Sequence, residues 1–390
     1  MSPSELSQRF RSVRAYTTTL AAPLSTEDCC VQSMPDASPT KWHLAHTTWF
    51  FETFVLERWE HGFLPFDPAF RVLFNSYYNA VGEKHPRAQR GLLTRPGLDQ
   101  VRAYRADVDA RMQALFESSS EPELLALVEL GLQHEQQHQE LLLTDLLHLF
   151  SRNPLLPAYQ AQTPVARPAP SLRWHRFAGD LTEIGHSGEG FGFDNELPRH
   201  SVYLQPFEIA SRLVTNGEYA SFIAAGGYAD PVHWLAEGWD WCMAQGRAQP
   251  LYWRGEGLAW QEFTLGGLLA LNPDAPLTHV SYYEADAFAR WAKARLPTES
   301  EWERAATAGA LDQLFSDAWQ WTASSYAAYP GFRVGPGAVG EYNGKFMVNQ
   351  YVLRGGSSAT SPGHSRASYR NFFPAGACWQ LSGIRLARDA

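Results

Sequence analysis

The sequence predicts a multidomain protein of α and α+β class, a four-helix bundle followed by an irregular α+β domain. Three observations predict it. The first 150 residues contain four stretches of helical periodicity joined by loops. Residues 151–172 then carry Pro154, Pro157, Pro164, Pro168 and Pro170, a composition suited to an extended linker. From 173 to 390 the pattern changes to short apolar runs, Gly-rich turns and many tryptophans. A chain of 390 residues is long enough for two separate cores.

The expected bundle helices span 4–21, 39–60, 97–117 and 121–150. In the second, Ser38 is the expected cap and Pro39 the first helical residue. The third repeats Leu98, Val101, Tyr104, Val108, Met112 and Leu115 at helical spacing. The fourth opens on Ser120-Glu121-Pro122-Glu123, which reads as a capping box, and only Gly131 interrupts it before Asn153-Pro154. Its Leu124, Val128, Leu142, Leu146 and Phe150 form a wide apolar surface. The long connection 61–96 contains Tyr77 and Tyr78, and its length and aromatics mark it as functional. Beyond the linker, brief helices are expected near 215–225, 281–294 and 298–308.

Composition narrows the function. A net charge of −9 argues against a nucleic-acid surface. No apolar run reaches membrane-spanning length, and the N-terminus lacks the basic stretch and apolar core of a signal peptide. Cys29, Cys30, Cys242 and Cys378 form neither a disulfide framework nor a CxxC metal site, so a reducing cytoplasm is expected. The 14 Trp, 16 Tyr and 22 Phe fill cores and can also line pockets for cationic ligands.

The chemistry concentrates in two histidine pairs. His134 and His138 are four residues apart, so on a helix their imidazoles share one face and can bind one ion. Glu135 and Glu140 flank them, as would suit partners for metal-bound imidazoles. A second pair, His43 and His46, lies on the second helix, and inward histidines from two helices can complete a three-His site. Spacing alone does not choose between His43 and His46.

Residues 38–51 and 130–145 resemble the DinB-like four-helix bundle. The second half resembles the formylglycine-generating-enzyme/sulfatase-modifying family, a C-type-lectin-related fold. That likeness lies in Thr215-Asn216-Gly217-Glu218-Tyr219, Arg295-Leu296-Pro297-Thr298-Glu299-Ser300-Glu301-Trp302-Glu303, Trp321-Thr322-Ala323-Ser324 and Leu353-Arg354-Gly355-Gly356-Ser357. Fused in this order, the two resemble the EgtB-type sulfoxide synthases of ergothioneine biosynthesis over nearly the whole chain. The resemblance implies a non-haem Fe(II) enzyme that uses O2 to join a cysteine-type thiol to C2 of the imidazole of hercynine, the Nα-trimethylated form of histidine, giving a sulfoxide. It implies His46, His134 and His138 as ligands, with His43 structural or one step removed from the metal. Three imidazoles leave an octahedral ion with open positions for substrates.

The same resemblance assigns the rest of the pocket. Gln137 would help hold hercynine, and Arg87 and Arg90 would hold the thiol substrate's carboxylate, for which guanidinium forks are suited. Asn371 would hydrogen-bond substrate, and Phe372 and Phe373 could face the trimethylammonium group. The second domain, with Cys242 and Cys378 forming no reactive pair, is expected to serve as a substrate-binding lid rather than a copper oxidase. Phe373 stands where the γ-glutamylcysteine-using branch has an acidic residue. The stretch Pro330–Gly337 lacks that branch's catalytic tyrosine. Tyr77-Tyr78 resembles instead the branch that can use free cysteine, with Tyr78 the favoured proton or hydrogen-bond donor. The alternatives are a γ-glutamylcysteine-using synthase, an ovothiol-type synthase acting on histidine, a DinB-like metal-dependent thiol transferase, and a non-catalytic ligand-binding module.

Overall fold

The computed structural model describes residues 2–161, 168–257, 259–309 and 311–390; residues 162–167 of the expected linker lie outside the described residues. The chain divides into two compact units. Residues 1–160 and 335–342 make the first, and residues 161–334 and 343–390 the second.

The first unit is built on four long helices. They run Pro3–Ala21, Thr40–Phe50 (continued by a π-helical segment Phe51–Leu56 and by Glu57–Trp59), Leu98–Ser118 and Pro122–Ser151. These lie within about two residues of the expected spans, the usual uncertainty at helix ends. The start signals were misread at two of them. Helix Pro122–Ser151 has Glu121 at its N-cap and no side-chain cap. Its opening acids serve other partners: Glu121 accepts from Trp59 Nε1 at 2.9 Å and Glu123 pairs with Arg58. Helix Thr40–Phe50 is preceded by Pro39 as N-cap, again without a side-chain cap, because the Ser38 hydroxyl accepts from Arg90 at 2.9 Å. In both cases a long-range partner won over the local capping bond.

Helix Thr40–Phe50 is buried at every residue, as expected of a central helix rather than a surface amphipathic one. Two of its polar members have carbonyl partners: Thr48 Oγ1 donates to the Leu44 carbonyl at 2.8 Å and Lys41 Nζ to the distant Leu93 carbonyl at 2.7 Å. Phe51 packs edge-on against Phe10 with centroids 5.0 Å apart. The last helix crosses here at Gly131, where an added Cβ would lie 2.6 Å from Phe51 Cε1 and 2.8 Å from Phe50 Cε1. Ala is ordinarily better than Gly in a helix interior by about 1 kcal/mol. Here Gly131→Ala is expected to destabilise by about 1–3 kcal/mol instead, because both rings are buried and cannot yield. Urea unfolding followed by circular dichroism checks the sign.

The second unit carries four small sheets. Strands β1 (Trp174–Phe177), β4 (Phe207–Ala210) and β12 (Ala387–Asp389) form one, in the order β1-β4-β12, and β2 (Asp180–Ile184) pairs with β3 (His200–Leu204). Strands β5 (Trp253–Arg254), β6 (Gln261–Thr264) and β7 (Gly267–Ala270) form a meander. The fourth sheet runs β10 (Asn371–Phe373), β9 (Tyr351–Arg354), β8 (Trp319–Ser325) and β11 (Ser382–Gly383). The three expected helices occur at Asn216–Ala224, Tyr282–Trp291 and Glu299–Thr307, and a further one, Ala236–Gln245, was not foreseen.

The motifs that carried the family resemblance act as scaffold. Thr215 with Glu218 and Thr298 with Glu301 form capping boxes. Trp302 is fully buried and donates to Gln320 at 2.6 Å. Arg354, also fully buried, donates to Glu303 at 2.8 Å and to the Ala367 carbonyl at 2.8 Å. Gly355 follows with φ +99°, a conformation open to glycine, and an added Cβ would collide with the Leu314 carbonyl. No helix among the described residues is long and apolar enough to cross a membrane.

Candidate metal centre

Three imidazoles converge inside the bundle. His46 comes from helix Thr40–Phe50, and His134 and His138 from successive turns of helix Pro122–Ser151. One ring nitrogen from each lies within 4.8 Å of the others, and all three residues are buried. His46 Nδ1 donates to the Phe74 carbonyl at 2.6 Å, which leaves Nε2 to face the group. That Nε2, and both ring nitrogens of His134, are buried without a hydrogen-bond partner among the described residues. Buried polar atoms are rarely left so, and three imidazoles aimed at one point are a metal donor set.

Electrostatics agree with neutral rings. Burial pushes the His134 imidazole down to about 3, against the pull of neighbouring Glu135. Burial and then His134 push both His46 and His138 well below the ordinary histidine range. Lone pairs are therefore exposed for coordination, not protonated, at neutral pH.

His46 is held by its own helix. Its ring lies between Trp42, stacked at 4.4 Å, and Trp49 at 5.5 Å, four residues before and three after it. Arg90 stacks on Trp42 with its guanidinium carbon 3.4 Å from the ring centroid. Arg90 is buried, donates to Ser38 and Ser76 hydroxyls at 2.9 Å each, and makes no ion pair among the described residues. Burial lowers it to about 9, with Arg87 adding to the effect. Arg87 is exposed and donates to the Asp36 carbonyl. The two arginines read as a pair thus occupy different environments, and only Arg90 is built into the interior.

The flanking acid Glu135 does not serve the imidazoles, contrary to the expectation from its position. It is fully buried and receives Arg14 at 3.0 Å, Thr17 at 2.6 Å and Arg105. The imidazoles have other partners: the Phe74 carbonyl for His46, and His43, whose Nδ1 is 2.8 Å from His138 Nδ1, for His138.

Tyr78 is fully buried and packs on Trp49 at 5.6 Å, while half-buried Tyr77 lies 4.6 Å from it, ring to ring. A third tyrosine reaches the imidazole group. Tyr342 stands edge-on to His134 at 5.7 Å, donates to Gln137 Oε1, and meets Tyr77 at 6.2 Å. Residues 335–342, to which it belongs, are part of the first unit, with the turn Ala338–Glu341 against Asn79–Val81. Tyr342 escapes the sequence reading because it lies five residues beyond Pro330–Gly337, in the stretch between Trp321-Thr322 and Arg354-Gly355. The signal available was a tyrosine inside that stretch.

Asn371, Phe372 and Phe373 lie in the second unit on β10, paired with β9. Phe372 gives one ring face to Tyr326 at 4.1 Å and stacks loosely with Phe346 at 6.0 Å, and Phe373 packs edge-on to Trp379. All three are half-buried within this unit. Cys242 and Cys378 are buried thiols pushed up by burial, to about 11 and about 12, so neither is a thiolate at neutral pH.

Two family models match the chain: the DinB superfamily over residues 9–142, and the sulfatase-modifying factor enzyme 1-like domain over residues 178–318 and 310–390. The chain is 33% identical to a hercynine oxygenase of Mycobacterium tuberculosis, covering 100% of this chain and 99% of that protein. It is 30% identical to a hercynine oxygenase of Mycolicibacterium thermoresistibile, over 91% and 88%. It is also similar, at 28% identity, to ergothioneine biosynthesis protein 1 of Schizosaccharomyces pombe, over 51% of this chain and 28% of that one.

Proposed function

This chain belongs to the hercynine oxygenase family, and from that premise we propose that it is a sulfoxide synthase of ergothioneine biosynthesis that joins the sulfur of cysteine to C2 of hercynine's imidazole. One O2 is consumed: one oxygen ends on sulfur and the other leaves as water with the hydrogens from C2 and the thiol. The observation that carries the reading is the convergence of His46, His134 and His138, with ring nitrogens within 4.8 Å, among them buried His46 and His134 nitrogens without a partner among the described residues. That donor set fits Fe(II). Held by these three imidazoles, Fe(II) would supply O2 reduction and a coordination site that deprotonates the thiol.

The chain's own groups account for binding and proton handling. Arg90 would take the cysteine carboxylate: it is a buried cation with two hydroxyl partners and no carboxylate of its own. Arg87 would steer the anion from solvent. Gln137, whose carbonyl oxygen is engaged by Tyr342, would present its amide to hercynine. Tyr342 stands beside His134 and would share the phenol role with Tyr78 and Tyr77, turning its Oη–H from Gln137 to developing negative charge. Asn371, Phe372 and Phe373 complete the proposed substrate-binding set, with Phe373 consistent with free cysteine. Four free cysteines accord with a cytoplasmic setting.

Product analysis by mass spectrometry tests this. Anaerobically Fe(II)-loaded protein is mixed with hercynine and O2, with cysteine and γ-glutamylcysteine in separate reactions. The sulfoxide conjugate is expected from cysteine. Conjugate from γ-glutamylcysteine alone would overturn the donor, and no conjugate from either would overturn the activity.

A further inference from the structure

We propose that His43 and Asp145 are positioning residues that fix the ring and tautomer of His138 for the metal. The inference rests on the three-His reading above. His43 Nδ1 lies 2.8 Å from His138 Nδ1, and His43 Nε2 lies 3.0 Å from Asp145 Oδ2. All three side chains are buried. A carboxylate can only accept, so the hydrogen between His43 and Asp145 sits on His43 Nε2. With that as its one hydrogen, His43 would accept at Nδ1, which places the hydrogen of the next bond on His138 Nδ1. The free lone pair of His138 is thereby confined to Nε2.

The end of the relay is itself fixed. Asp145 Oδ2 also accepts the Ser38 backbone N–H at 2.8 Å, and the Ser38 hydroxyl accepts from Arg90 at 2.9 Å. His46 gets the same orientation from a main-chain carbonyl, that of Phe74. For His138 the equivalent partner is a side chain and can be changed without touching a ligand. Partners of this kind commonly affect metal affinity by about 10–100-fold.

The test is Co(II) titration of the metal-free full chain against a competing chelator, with the visible Co(II) spectrum at saturation and the melting temperature of each metal-free variant. His43→Phe keeps a ring of similar size but removes both nitrogens, and is expected to weaken Co(II) about 10–100-fold and shift the bands. His43→Asn fills less of the space, yet its amide oxygen can still accept from His138 Nδ1, so affinity should recover to within about threefold of the parent. Affinity should then rank parent, Asn, Phe, with the melting temperatures showing that each metal-free variant folds. An Asn variant as weak as the Phe variant, or a Phe variant within about threefold of the parent, would overturn the proposal. If the Phe variant does not fold, Asp145→Leu carries the test: it keeps roughly the shape but removes the oxygen that accepts from His43 Nε2. An unchanged spectrum and affinity there would overturn it equally. A parent that binds no Co(II), or a His46→Ala variant that binds it as well as the parent, would instead sink the three-His site.

Discussion

Glu135→Leu is expected to cost the bundle about 3–5 kcal/mol, the loss typical of breaking a buried ion pair from one side. Glu135 joins Arg14 and Arg105, both buried and both from other helices. Burial alone would raise the carboxyl, but Arg105 and Arg14, with the Thr17 hydroxyl, hold it down at about 2. Arg14 keeps Asp109 at 2.6 Å after the substitution. Arg105 keeps only the Thr47 hydroxyl at 3.2 Å and the Arg14 carbonyl at 2.9 Å, so its charge is stranded. Small domains hold only about 5–15 kcal/mol in total, so the melting temperature should fall by roughly 10 °C. Chemical denaturation measures it directly. A loss below about 1 kcal/mol would mean that Asp109 and the carbonyl oxygens suffice for both guanidiniums.

Glu135 also shows where the sequence stopped being readable. Helical periodicity located helices Leu98–Ser118 and Pro122–Ser151, whose apolar residues form long stripes, the Pro39 start signal marked the central helix, and the i, i+4 pair placed His134 and His138 on one face. The resemblance selected His46, which periodicity could not distinguish from His43. The partners were not legible. Glu135 adjoins His134 in sequence but points to the arginines, since neighbouring helical residues project about 100° apart. Asp145 is 102 residues from His43 and Tyr342 is 205 residues from Gln137, and no local pattern encodes either contact. The supposed capping residue Ser38 failed for the same reason: a buried arginine from a distant loop took its hydroxyl. The resemblance gave Arg87 and Arg90 as a pair, whereas burial separates them.

His134→Leu is expected to abolish metal binding and yet stabilise the metal-free protein. In the bundle both ring nitrogens of His134 are buried without partners among the described residues, and it lies among Phe50 at 5.1 Å, His46 at 4.9 Å and His138 at 4.6 Å. An unsatisfied buried polar group costs about 1–3 kcal/mol, and leucine replaces it with apolar surface of similar volume. Acid should expose the same cost. The His134 pKa is about 3 in the folded chain against an ordinary value of 6.5, so between these values the unfolded state holds a proton that the folded state does not. Stability is therefore full above 6.5 and falls as pH drops through the window, at about 1.4 kcal/mol per pH unit for each such site. His46 and His138, also lowered, add with the same sign. Glu135, lowered from 4.5 to about 2, contributes only below 4.5, so the interval from 6.5 to 4.5 is free of its titration. Urea unfolding of both metal-free proteins across that interval should give the leucine variant the higher midpoint and a slope shallower by about one proton. Parallel slopes would mean that His134 is not held neutral by burial, and a lower midpoint would mean that its nitrogens are satisfied without metal.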